Sequence, residues 1–168
     1  VQTLAINHPA RLQSMTTVMS TTGEIGVGQA TAQAAAGLKT AGHDRCSAVL
    51  NAVEAREIHG GVLFDRDSAF LLEEAAYDRC YYPQGKIWQL LAVLASGSRA
   101  EQLPTVTVPT MVIHGRMDQL IQLDGGEATA ALIPGAELVT YEQMGHDTPE
   151  ALWGDYIADL QRLVDRTR

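Results

Sequence analysis

The chain has 168 residues, enough for one ordinary domain with a sizeable core, and 46% of them are hydrophobic. A formal net charge of −8 excludes the basic surface that binding to a phosphate backbone needs, so nucleic acid is not an expected partner. No apolar run approaches the length of a membrane span, and Cys46 and Cys80 lie far apart without metal-ligand spacing, which fits free thiols in a reducing, cytoplasmic compartment.

Residues 1–6 are compatible with a helix, which His8-Pro9 cuts off near Asn7 because proline disfavours a helical residue before it. Val18-Met19-Ser20 reads as an apolar strand closed by Thr21-Thr22-Gly23. From Glu24 to about Leu103 the pattern is helical, over roughly 27–40, 44–58, 66–81 and 84–98, with breaks at Gly42, Gly60-Gly61 and Pro83. Asp44 and Asp65 are the expected N-caps, and Ile87, Leu90, Leu91 and Leu94 recur at the spacing of one apolar helix face. From Pro104 the chain returns to strand character. Residues 108–115 form a short β-branched run ending on a glycine, the pattern of a buried parallel strand, and Arg116-Met117-Asp118 follows in the turn. Asp124 to Glu127 has capping-box spacing and should open a helix through Leu132, which Pro134-Gly135 ends. Residues 137–141 read as the next strand, with Met144-Gly145-His146-Asp147 as the turn behind it. Asp147 to Glu150 again has capping-box spacing. It leads into a terminal helix with Ala151, Leu152, Tyr156, Ile157, Leu160, Leu163 and Val164 facing inward and Trp153 in the core near its start.

An aspartate and a histidine thus fall at the same relative place, just past two successive strands. Strands linked by a helical crossover are usually neighbours in a parallel sheet, and their C-terminal edges form its site face. That geometry brings a carboxylate to an imidazole, the pair that activates a nucleophile. Asp118 is the candidate partner of His146; Asp124, the rival, and Asp147 are explained as helix caps. His114 is expected to pack or bond locally. His8, His43 and His59 have no ligand-like spacing, so no metal and no cofactor is expected. Met117, Leu120 and Met144 flank the acid and the base and are candidate pocket residues, suited to an apolar acyl or ring group. None of Ser14, Ser20, Ser47, Ser68, Ser96 and Ser98 has a glycine two residues away on each side, as a nucleophile elbow requires.

The run PTMVIHGRMD, then IPGAEL, then Gly145-His146 before a last amphipathic helix resembles the C-terminal part of an α/β-hydrolase. QTLAINHPARLQSMTTVMSTTG resembles the tail of the helix that follows that family's nucleophile elbow, together with the next strand. The resemblance implies an α/β fold: the C-terminal part of the family's parallel sheet, with a helical cap inserted. Residues 1–23 and 104–168 would be a partial core lacking the N-terminal strands, and 24–103 the cap, or lid. In the family's chain order of nucleophile, acid and histidine, Asp118 would be the acid and His146 the base. With no G-x-S-x-G present, the nucleophile and the oxyanion donors are expected before Val1, and the chain is expected to be a piece of a longer one. The implied activity is that of an esterase- or lipase-like serine hydrolase, resembling bacterial members, acting on a small-molecule carboxylic ester. The same acid–histidine half also serves haloalkane dehalogenases and epoxide hydrolases, which use an aspartate nucleophile. A third reading is a non-catalytic fragment whose unpaired sheet edge associates with a complementary N-terminal chain or a second copy.

Overall fold

The computed structural model describes residues 1–38 and 42–167. Helix α1 (Gln2–Asn7) ends at His8-Pro9, as the proline demands, and a 3-10 turn leads into strand β1 (Met15–Val18). Four helices follow: α2 (Ala32–Gly37), α3 (Arg45–His59), α4 (Arg66–Arg79) and α5 (Pro83–Ser96). The chain then returns through β2 (Thr110–Gly115), α6 (Leu123–Leu132), β3 (Glu137–Tyr141) and α7 (Trp153–Asp165). The three strands form one parallel sheet in the order β1-β2-β3, with Val18 opposite Ile113 and Ile113 opposite Val139.

β2 is central because its sequence tolerates burial on both faces, and all six of its residues are buried. Met111 and Ile113 join Met144 and Leu163 in one apolar cluster; Met15, Leu103, Val106 and Ile133 gather with Ala5 in another. The helical insert has its own small core, in which Val49 and Val53 of α3 meet Ala69 of α4. At the far end of the insert the Arg99 amide donates to the Thr22 carbonyl, closing it back onto the sheet.

Local chemistry sets the helix starts in the insert. Asp44 accepts from the Ser47 amide in a reciprocal capping box, and Asp65 accepts from the amides of Asp67 and Ser68. Elsewhere the structure departs from the sequence expectation. The first strand lies three residues earlier than 18–20, because Met19 takes a positive φ of 46° and turns the chain out of the sheet. α2 is shorter than 27–40: Gly26 and Gly28 hold positive φ in a loop, Thr31 caps the helix by accepting from the Ala34 amide, and 39–40 lie outside the described residues. α6 starts at Leu123 without a capping box, since the Asp124 carboxylate accepts instead from the Gly28 amide at 3.2 Å. Asp147 caps no helix either. A 3-10 turn (Glu150–Leu152) precedes α7, and the Asp147 carboxylate is taken by Arg56. Trp153 is 53% exposed, its indole N–H donating to the Thr148 carbonyl, so it is not a core residue. On α7 only Leu163 is fully buried; Ile157, Leu160 and Val164 are exposed. Ile87, Leu90, Leu91 and Leu94 of α5 are each at least half exposed, so their face meets no core among the described residues.

Candidate active site

The C-terminal ends of β2 and β3 deliver two loops side by side. The Arg116 amide donates to the Tyr141 carbonyl and the Met117 amide to the Met144 carbonyl, at 3.0 and 2.9 Å. Gly115 permits this: a Cβ there would run into the backbone oxygens of Met144 and Gly145.

Within that junction Asp118 is buried and both of its carboxylate oxygens accept hydrogen bonds. One carboxylate oxygen, Oδ1, accepts from the Leu120 and Ile121 amides at 2.9 and 2.8 Å, which folds the loop around the side chain. The other, Oδ2, accepts from His146 Nδ1 at 2.7 Å. A buried carboxylate is costly unless hydrogen-bonded, and three donors meet that need. Because the carboxylate can only accept here, Nδ1 carries the proton of this bond. The His146 side chain is 27% exposed, while that of Asp118 has no exposure.

His114 supports the acid loop from beneath, bonding locally as expected. It is fully buried, and its Nε2–H donates to the Ile121 carbonyl at 2.8 Å. The same nitrogen lies 3.6 Å from Asp118 Oδ2, too far for a second direct bond. The ring packs against Gly126, where any side chain would collide with it, so α6 begins against this histidine.

The insert supplies a third element that the sequence did not announce. The amides of His146 and Gly145 donate to the carbonyls of His59 and Gly60 at 2.5 and 3.0 Å, and Gly61 bridges Met144 in antiparallel fashion. The His59 ring stands edge-on to the His146 ring, with centroids 5.7 Å apart. Arg56 donates to both oxygens of Asp147, at 3.0 and 3.1 Å. Sequence spacing set His59 aside and made Asp147 a helix cap. The only local signals for their true placement were the glycines at 60, 61 and 145, which mark close backbone approach.

Of the candidate pocket residues, Met117 is 40% exposed and Leu120 half-buried beside Asp118. Met144 is a core residue instead. It is fully buried against Met111, Ile113 and Leu163, and its sulfur accepts from the Tyr156 hydroxyl at 3.3 Å. Cys46 and Cys80 are free and exposed. Among the described residues no three or more His, Cys, Asp or Glu are grouped to hold a metal ion, and no helix is long and apolar enough to cross a membrane.

Burial holds the His59 imidazole below the usual histidine range. His146 and Arg56 push in the same direction, while Asp118 and Asp147 oppose it. The unfolded chain therefore takes up a proton at this residue before the folded chain does, and stability falls as the pH drops through the unfolded value of about 6.5. The melting temperature should fall between about pH 7.5 and about pH 5.5, and should fall by less in His59→Gln. Equal losses in the two proteins, by parallel thermal melts, would show that His59 charges freely in the folded state.

No family model matches the chain. A 2-hydroxy-6-oxononadienedioate/2-hydroxy-6-oxononatrienedioate hydrolase of a Pseudomonas species is 46% identical over 55 residues, which is 31% of this chain and 19% of that enzyme. A non-heme chloroperoxidase of Kitasatospora aureofaciens is 43% identical over 47 residues, 27% of this chain and 17% of that protein. A meta-cleavage product hydrolase from Pseudomonas fluorescens superposes with a TM-score of 0.78 at 19% identity, over 99% of this chain and 61% of that one. An esterase from Rhodococcus superposes with a TM-score of 0.72 at 17% identity, over 98% and 60%. The chain spans about three-fifths of the length of these solved structures, and at these identities the likeness is one of fold. A parallel sheet whose strands β2 and β3 bring Asp118 and His146 together at one edge, and superposition over nearly the whole chain on solved hydrolases, identify the architecture: this chain is built on the α/β-hydrolase fold.

Proposed function

We propose that this chain supplies the acid–histidine half of a carboxylic ester hydrolase. The observation that carries this reading is the 2.7 Å bond from His146 Nδ1 to the buried carboxylate of Asp118. A serine on polypeptide outside these residues would be the nucleophile, and the oxyanion donors would come from there too. His146 Nε2 takes the serine proton as the hydroxyl attacks the ester carbonyl, then returns it to the departing alcohol. A water deprotonated by the same nitrogen next attacks the acyl-serine, and the proton passes back to the serine oxygen as the acid leaves. Asp118 holds the tautomer and stabilises the imidazolium in both halves. The helices of 24–103 act as a cap over this edge of the sheet, and Met117 and Leu120 offer apolar contact to the acyl or alcohol group. Esterases among the structural neighbours support the ester reading, and the meta-cleavage product hydrolase among them marks a rival to it.

The partner in this reading is a complementary polypeptide that adds a strand beside β1. The outer edge of β1 has no strand among the described residues, and an open edge of this kind recruits one. The test is intact mass under denaturing conditions together with turnover of a p-nitrophenyl ester. A second polypeptide present with turnover supports the reading. Turnover by this chain alone would place the nucleophile in it, and a complemented complex that leaves the ester intact would overturn ester hydrolysis. Leu120→Ala is expected to change the preferred acyl length while leaving the urea midpoint nearly unchanged. An unaltered chain-length profile would remove Leu120 from the pocket.

A further inference from the structure

We infer that Arg56 is a positioning residue for His146, acting through Asp147 to latch the histidine loop onto the last turn of α3. The role of His146 itself rests on the hydrolase reading above; the latch is a separate claim about what holds that residue in place.

The last carbonyls of a helix have no partner within it, and they need donors from elsewhere. His59 is the final residue of α3 and Gly60 its C-cap. Their carbonyls are satisfied by the amides of His146 and Gly145, so the histidine loop serves as the C-terminal cap of a helix that lies more than eighty positions earlier in sequence. Two backbone bonds of this kind need the loop held at the right depth. Arg56, one turn before the end of α3, does this from the side. Its Nη2 donates to both carboxylate oxygens of Asp147, the residue next to His146, and its Nη1 donates to Glu73 of α4 at 3.4 Å. The Arg56 and Asp147 side chains are only 26% and 20% exposed, so the pair is shielded from the screening that weakens surface ion pairs. Glu73, Arg56 and Asp147 thus form a chain from α4 through α3 to the histidine loop.

His146 is consequently fixed from two sides. Asp118 sets the ring through Nδ1, and α3 sets the main chain through the amide. An acid–base group must be placed to within a fraction of an ångström, and a misplacement of about 1 Å can cost about a hundredfold in rate. On this geometry the end of α3 is a fixed buttress for the base, while the rest of the insert is free to shape the pocket.

The test uses the protein as purified, with any polypeptide bound to it, followed by NMR with amide hydrogen exchange and with the hydrogen-bonded His146 Nδ1 proton as reporters. Arg56→Ala should speed exchange at the Gly145 and His146 amides by about tenfold and broaden the Nδ1 proton signal, with amides of β2 unchanged. Arg56→Lys keeps the charge but not the geometry, and should recover part of the protection. Arg56→Asp combined with Asp147→Arg should recover more than either single change. Unchanged exchange in Arg56→Ala would overturn the latch, and so would equal acceleration across β2, which would mean only general destabilisation. Neither readout involves turnover, so failure here leaves the hydrolase reading standing, and failure of the ester assay leaves the latch standing.

Discussion

Asp118→Asn is expected to lower ester turnover by about ten-thousandfold in the complex that carries the nucleophile, with the fold retained. Asparagine can keep its carbonyl oxygen on the Leu120 and Ile121 amides, so the loop has no reason to open. What changes is the group facing His146. The amide nitrogen then meets the position that Oδ2 holds 2.7 Å from Nδ1, and a donor there selects the tautomer with the proton on Nε2. That nitrogen can no longer act as the base, and no buried negative charge remains to stabilise an imidazolium. The discriminating measurement is kcat, with the circular dichroism melt as the control for folding. A loss below tenfold, with the melt unchanged, would mean that Asp118 does not orient the base and that the bond seen here is structural.

The parts of this site that were legible in the sequence are those whose causes are local. β2 could be read because a β-branched run ended by glycine has few other solutions in a parallel sheet, and β3 because Leu138 to Tyr141 are strand-forming residues; β3 falls on 137–141 as expected, and β2 starts two residues later than the run. Asp44 and Asp65 could be read as caps because an N-cap depends on residues no more than three positions away. The same rule failed at Asp124 and Asp147. Both have the right spacing, but each carboxylate found a stronger tertiary partner: the Gly28 amide in one case and the Arg56 guanidinium, 91 positions distant, in the other. Asp118 and His146 could be paired because topology, not spacing, brings successive loops together at the edge of a parallel sheet. His59 and Arg56 could not be added to them, because no short-range pattern records which turn of an inserted helix will face that edge. α5 shows the converse: its apolar periodicity was plain, and its residues stand exposed. Periodicity reports a face that can be buried, not what buries it.

Gly145→Ala should be strongly destabilising, costing about 3 kcal/mol and lowering the melting temperature by about 6–12 °C. A Cβ at 145 meets the His59 carbonyl oxygen, the Gly60 carbonyl carbon and the Gly61 amide nitrogen, all of them backbone atoms that no rotamer change can move aside. The histidine loop must then retreat from α3. Both amide bonds to the helix end are lost, and the last carbonyls of α3 lose the donors that capped them. Gly154→Ala is the matched control. It adds the same methyl near the start of α7, where nothing lies within 4 Å, and there it should stabilise by about 0.4–1 kcal/mol through helix propensity and a less flexible unfolded chain. Urea midpoints at equal m-values separate the two, since composition changes identically and only the surroundings differ. Opposite signs show that the backbone is tightly packed at the residue beside His146. Equal and small shifts would mean that the loop yields easily, and a loop that yields cannot hold a general base to the tolerance its chemistry demands.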